Sequence, residues 1–302
     1  MAPSVLITGA SGYTGSRLAR RLLRDGWIVH VIARPSSNLA PLTDMIDKVR
    51  VHYYQGTTES MLRIVGEAKP DIVAHLASFA SVTYRSQDIH AMLHSNVIFG
   101  ADLMEAMMRH KVYNLINTGT FSQHYDHLPY NPNSLYAASK QAFEDIARYY
   151  LESSPLRCIT LTLFDSYGPK DPRNKIVNLL YNAYVTGEPL ATTPGEQLLD
   201  MVYIDDVVQA YTLAASRLLR GTAEPHEKYA VSSRNPLTLR RLVALFEEEV
   251  GAKLKVVWGA KPYREREIMV PWTEGSLLPD WHPQVDIRTG IKLYLADKGC
   301  AP

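Results

Sequence analysis

The chain has 302 residues, 46% hydrophobic and 21% charged, enough apolar content for the core of one large α/β domain or of a larger and a smaller one. Its formal net charge of +1 creates no field that would draw it to nucleic acid or an anionic membrane, so neither is expected as a partner. Cys158 and Cys300 are its only cysteines, and neither sits in a CxxC or Cys/His cluster, which argues against a disulfide framework, a structural zinc site or any other metal.

Met1-Ala2-Pro3-Ser4 leads directly into Val5–Thr8, an apolar run too short for a signal peptide. No stretch reaches the roughly 18 apolar residues of a membrane span, and a cytoplasmic protein is expected. Apolar runs predict strands at Val5–Thr8, Ile28–Ala33, Val49–Gln55, Ile72–His75, Val112–Thr118 and Cys158–Leu163. Helical spacing predicts helices over Tyr13–Asp25, Glu59–Ala68, Ala91–Arg109 and Leu135–Ser153. Strands alternating with helices give βαβ units and a doubly wound parallel sheet covered on both faces. After about residue 167, Pro, Gly and polar turns become frequent, and helical segments at Ile176–Thr186 and Leu237–Val250 are separated by short strands. Met201–Leu219 reads as a strand then a helix returning to the first sheet. The expected division is therefore residues 1–167 with about 200–220, and a smaller, discontinuous C-terminal part of about 168–199 with 221–302. The cleft between them is the natural place for a substrate.

Thr8-Gly9-Ala10-Ser11-Gly12-Tyr13-Thr14-Gly15 follows the first strand and opens the first helix. Gly9, Gly12 and Gly15 permit a tight turn and close backbone approach, while Ser11, Tyr13 and Thr14 lie where a helix start presents free N–H groups to a pyrophosphate. The first part is thereby read as a dinucleotide-binding domain. At the end of the second strand the chain reads Arg34-Pro35-Ser36-Ser37-Asn38, with no carboxylate to accept from a ribose 2′-hydroxyl. Arg34 suits a 2′-phosphate and Ser37 adds a donor, which favours NADP(H) over NAD(H).

Tyr136-Ala137-Ala138-Ser139-Lys140 lies in the helical segment after the fifth strand. Residues four apart share a helix face, so the Lys140 ammonium is expected beside the Tyr136 phenol, lowering its pKa for proton transfer. Thr120, at the end of the preceding strand, offers a hydroxyl to a substrate oxygen; Thr118, within the strand, reads as structural. His124 is expected to be a hydrogen-bonding loop residue rather than a second acid/base, and His75 to be structural.

These motifs resemble the extended short-chain dehydrogenase/reductases, the NAD-dependent epimerase/dehydratase group acting on sugar nucleotides. The resemblance rests on the TGxxGxxG start, His75-Leu76-Ala77-Ser78, Asn96, the Thr120/Tyr136/Lys140 set, Tyr167-Gly168-Pro169, Tyr203-Ile204-Asp205-Asp206 and Trp281-His282-Pro283, and so covers nearly the whole chain. It implies a Rossmann-like fold, a nicotinamide cofactor and a nucleotide-diphosphate sugar in the cleft. Within it, Leu76, Ala77 and Ser78 line the cofactor, Tyr136 and Lys140 contact it, and Asn96 is structural. Ser122 lies in the loop over the sugar, and Arg173, Arg264 and Arg266 supply cations for the diphosphate. The resemblance also implies a homodimer formed through helices such as Ala91–Arg109 and Leu135–Ser153.

Departures narrow the reading. Thr118-Gly119-Thr120 stands where serines are usual, Asp165-Ser166 where an Asn is common, and Leu199 near the place of a frequent arginine. These features resemble bacterial NDP-4-keto-6-deoxyhexose reductases, such as the CDP-paratose and CDP-abequose synthases, more than UDP-galactose epimerases. The implied reaction is reduction of a C4 ketone by NADPH, with Tyr136 as acid. A 4-epimerase with tightly bound NAD(P) is the first alternative, and a non-catalytic NADP sensor the second. Phe121-Ser122 after Thr120, in place of an acidic pair, argues against a 4,6-dehydratase.

Overall fold

A computed structural model describes residues 2–300 of the chain. Its first half alternates as expected: β1 (Ser4–Thr8), α1 (Tyr13–Arg24), β2 (Ile28–Ala33), β3 (Arg50–Tyr53), α2 (Thr58–Ala68) and β4 (Ile72–His75). Then follow α3 (Ile89–Leu93), a widened π turn over His94–Ile98, α4 (Phe99–Arg109), β5 (Asn114–Thr120), α5 (Leu135–Ser153) and β6 (Arg157–Leu163). The second half contains β7 (Asp165–Tyr167), α6 (Ile176–Thr186), β8 (Leu190–Ala191), β9 (Leu198–Leu199) and β10 (Met201–Tyr203). It closes with α7 (Ile204–Leu219), β11 (His226–Val231), β12 (Leu237–Thr238), α8 (Leu239–Val250), β13 (Val256–Val257) and α9 (Ile287–Asp297).

The main sheet has seven strands in the order β11-β6-β5-β4-β1-β2-β3, and every pairing in it is parallel. Successive side chains on a strand point to opposite faces, and the core divides accordingly. Val5 and Ile7 of β1 join Leu18 and Leu22 of α1 and Val207 and Tyr211 of α7 on one face. Leu6 joins Met61 of α2, Leu103 of α4 and Phe143 of α5 on the other. Burial on both faces is why these strands read as continuous apolar runs.

Two expectations are corrected here. The strand at 201–203 does not join the main sheet; it pairs with β7 in a separate parallel ladder, and only α7 returns to pack on the sheet. The seventh strand is instead β11, whose six residues align with Cys158–Leu163. It lies within the residues assigned to the smaller part, and its charged His226-Glu227-Lys228 start hides it from a search for apolar runs. The helix expected over 91–109 is also interrupted by the π turn that contains Asn96. Such turns mark places where a helix gives up regularity to direct a side chain.

Among the described residues, no helix is long and apolar enough to cross a membrane, and no cluster of His, Cys, Asp or Glu could hold a metal ion.

Candidate active site

The turn after β1 is shaped by absent side chains. Gly9 has φ +70°, and a Cβ there would lie 2.7 Å from the Ala77 nitrogen; one on Gly15 would lie 2.2 Å from the Gly9 oxygen. Only glycine lets the turn approach the β4 end and α1 this closely. Below it, Thr8 is fully buried, and its Oγ1 accepts from the Leu76 (3.1 Å) and Ala77 (3.0 Å) amides. With both lone pairs used, its single proton goes to His75 Nδ1 at 2.9 Å. His75 is held neutral, its pKa pushed down to about 3 by burial and the nearby Lys140 charge, in keeping with a structural role.

A cavity of about 320 Å³ opens above this turn. It brings together Gly9, Ser11, Gly12, Arg34, Ser37, Leu76, Ala77 and Ser78. Sequence reasoning missed further lining residues, among them Tyr54, Ala91, His94, Ser95 and Phe99. Tyr13, Thr14, Gly15, Tyr136 and Lys140 do not line it; the Tyr13 hydroxyl instead donates to the Pro169 carbonyl at 3.2 Å. Arg34 is exposed, and its turn is closed by Ser37: Arg34 N donates to Ser37 Oγ, and Ser37 N to the Arg34 oxygen, both at 2.9 Å.

From the cavity a chain of hydrogen bonds runs to α5. Ser78 Oγ and Phe79 N donate to Asn96 Oδ1 at 3.0 and 2.6 Å. Asn96 Nδ2 donates to Ser139 Oγ at 2.9 Å, and Ser139 Oγ to the Tyr136 carbonyl at 2.7 Å. Buried Asn96 thus joins the β4 loop to the helix bearing Tyr136 and Lys140. Thr118 donates to the His75 carbonyl at 2.8 Å and lies 2.6 Å from the Tyr211 hydroxyl, a structural position.

Thr120 is the last residue of β5, and is buried. Its Oγ1 accepts from Ser122 N at 3.3 Å, leaving the hydroxyl proton free to donate. The Tyr136 phenol adjoins the hydroxyls of Thr120 and Ser78, which pull its pKa down, while burial acts more strongly and holds it above the ordinary value. Lys140 is buried at 2% exposure, and desolvation brings its pKa to about 8 against partial support from Glu144. The net shift of the phenol is therefore upward, set by burial and only partly opposed by the two hydroxyls, and Lys140 is not among the groups that act on it.

The nominated arginines separate. Arg173 closes on buried Asp171 through Nε and Nη2, both at 2.7 Å, and its guanidinium stands 4.8 Å from the centre of the Tyr13 ring. Its fork is thus filled within the fold, as the Arg264 fork is by Glu267 at 2.8 and 2.6 Å. Arg264 pairs with Glu267 at 2.6 Å. Arg266 lies over the Tyr125 ring at 4.3 Å and donates to Asn131, so it faces the loop between Thr120 and Tyr136. In the same loop His124 is buried and stacks on Trp272 with centroids 3.9 Å apart, and burial lowers its pKa. Ser122 is buried beside Thr120.

A parallel sheet with β1 in its interior, a glycine turn after it, and a tyrosine and a buried lysine one helical turn apart define a dinucleotide-binding oxidoreductase fold. The chain belongs to the NAD dependent epimerase/dehydratase family, whose sequence model matches residues 5–229, and is an enzyme of that extended short-chain dehydrogenase/reductase group. It is 26% identical to the CDP-abequose synthase of Salmonella muenchen over 298 residues, covering 97% of each chain. It is 27% identical to the UDP-glucose 4-epimerase of Mycolicibacterium smegmatis over 303 residues, covering 95% of each. Among solved structures it is similar to the Thermus thermophilus UDP-glucose 4-epimerase in complex with NAD, at 25% identity and a TM-score of 0.83, covering 99% of this chain and 100% of that one.

Proposed function

We propose that this enzyme reduces the C4 ketone of a nucleotide-diphosphate 4-keto-6-deoxy sugar with NADPH. The observation that carries the reading is Tyr136 with buried Lys140 one turn along the same helix, a helix tied through Ser139 and Asn96 to Ser78. Ser78 also lines the cavity, so the acid stands beside the space that fits a dinucleotide. Gly9, Ser11, Gly12, Leu76, Ala77 and Ser78 suit a cofactor there, since the turn exposes backbone and has no room for side chains. Arg34 and Ser37, without a carboxylate beside them, suit a 2′-phosphate and support NADP(H) over NAD(H).

When bound, the nicotinamide supplies hydride to the carbonyl carbon. The protein's part is positional and protic. Thr120 donates its free hydroxyl proton to the carbonyl oxygen and orients it. Tyr136 gives up the phenolic proton as the oxygen becomes an alkoxide. Lys140 then faces a phenolate, whose charge favours the ammonium form and opposes desolvation. Ser122 reads as a sugar contact, and Arg173, Arg264 and Arg266 as the diphosphate cations, each exchanging a partner for phosphate oxygens. The likeness to CDP-abequose synthase across nearly the whole chain supports reduction of a deoxysugar. A homodimer in the cytoplasm belongs to the same reading.

The test is to mix purified protein with NADPH and a panel of 4-keto-6-deoxy sugar nucleotides, following absorbance and chromatography. Stoichiometric loss of NADPH with a new alcohol is expected. The likeness to UDP-glucose 4-epimerase supports a second reading, which a co-purifying oxidised cofactor and interconversion of epimers without NADPH loss would establish instead.

A further inference from the structure

The end of β5 needs support that the sheet does not give it. β5 pairs with β4 only as far as Asn117 opposite His75, whereas its pairing with β6 continues to Thr120 opposite Leu163. Thr120 is thus held by the ladder on one side only. On its own that strand end has freedom to splay, although the chemistry requires its hydroxyl to stand at a fixed distance from the Tyr136 phenol.

A fully buried amide supplies the missing tie. Gln123 has 0% exposure, and Thr120 N donates to its Oε1 at 2.9 Å. Gln123 Nε2 donates to Glu144 Oε1 at 3.1 Å and to Gln141 Oε1 at 2.9 Å. Its orientation is determined, because the oxygen meets an N–H and the nitrogen a carboxylate. Glu144 is anchored in turn, since Lys228 Nζ of β11 donates to its Oε2 at 3.1 Å. Tyr136, Lys140 and Glu144 follow one another at four-residue steps on α5, so they share a helix face. The same packing explains Gly119: a Cβ there would stand 3.2 Å from Glu144 Oε1 and 3.3 Å from Gln123 Oε1.

We propose that Gln123 is a positioning residue for the reaction: anchored by Glu144, it fixes the Thr120 backbone against the helix that carries Tyr136 and Lys140. The inference rests on Thr120 as the group that orients the substrate carbonyl. It makes the spacing of hydroxyl and phenol a property of one buried amide–carboxylate contact. The contact does not touch substrate or cofactor, so its loss acts on turnover and leaves dinucleotide affinity alone.

Gln123→Met is expected to lower kcat about 100-fold, the scale of a misplacement near 1 Å, with the NADPH dissociation constant within about twofold of wild type. Gln123→Glu sets two carboxylates against each other and is expected to lose a similar factor. Adding Glu144→Gln to it restores the contact with the groups exchanged, a carboxylate now accepting from Thr120 N and an amide donating to it. The double variant is expected within about tenfold of wild-type kcat. A Gln123→Met kcat within about threefold of wild type, a parallel fall of kcat and NADPH affinity, or a double variant no better than Gln123→Glu overturns the proposal. If the wild-type protein turns over no sugar nucleotide, the reductase reading has failed, and hydrogen exchange at the Thr120 amide decides on the tie itself. Exchange at least about 100-fold faster in Gln123→Met, with Leu115 and Ile116 unaffected, supports it; an unchanged rate overturns it.

Discussion

Replacing Lys140 by Met should make the ligand-free protein more stable while disabling it. The side chain is 2% exposed, and burial brings its pKa from 10.5 to about 8, Glu144 offsetting only part of the cost. Each pKa unit corresponds to about 1.4 kcal/mol between the two protonation states, so burying the charge costs about 3 kcal/mol at pH 7. Met has a similar length and no charge to desolvate, and is expected to recover most of that. Unfolding entropy near 2 cal/mol/K per residue converts the gain into a Tm rise of about 5 °C for a chain of this length. The sign with pH follows from proton counting. Between about 8 and 10.5 the unfolded wild type holds more protons on this lysine than the folded one, so wild-type stability rises relative to the variant. The gap in favour of Lys140→Met should be constant below pH 8, shrink above it and vanish past 10.5. Urea unfolding of both ligand-free proteins at pH 7, 8, 9 and 10 measures this. A variant no more stable than wild type at pH 7, or a gap that ignores pH, would refute the reasoning.

Tyr136→Phe should lower kcat about 1,000-fold with NADPH affinity nearly unchanged, since only the proton donor is removed; steady-state kinetics with fluorescence titration of NADPH would show it, and near-normal turnover would exclude Tyr136 as the acid. Arg34→Asp should reverse cofactor preference, weakening NADPH about 10- to 100-fold through loss of a charged contact and gain of a repelling one. Equal KM values for NADPH and NADH in the wild-type protein would remove Arg34 from that role. Asn96→Ala strands the Phe79 amide and cuts the link to Ser139, and should cost about 2–3 kcal/mol in denaturant unfolding; a loss under about 0.5 kcal/mol would mean that the π turn relaxes around the gap.

The sequence alone determined those parts of the protein in which local chemistry and long-range packing demand the same residues. Strands buried on both faces must be apolar throughout, so β1, β2, β4 and β6 were legible as runs. The turn at 9–15 was legible because two of its glycines stand where any Cβ would strike backbone. Tyr136 and Lys140 were legible because a helix brings residues four apart together whatever lies around it. What only the tertiary structure decided depends on partners distant in the chain. β11 carries charges and is a main-sheet strand only because β6 offers it an open edge. Arg173 was legible as a cation, but that it closes on Asp171 and lies against the Tyr13 ring was not. Lys140 owes its pKa to burial, which spacing does not encode. Gln123 left only a local signal, the Thr-x-x-Gln spacing of a capping box with Thr120, because its tie to Glu144 exists only once β5, α5 and β11 converge there: a periodic pattern reports which face of an element is covered, not which polar atoms meet beneath it.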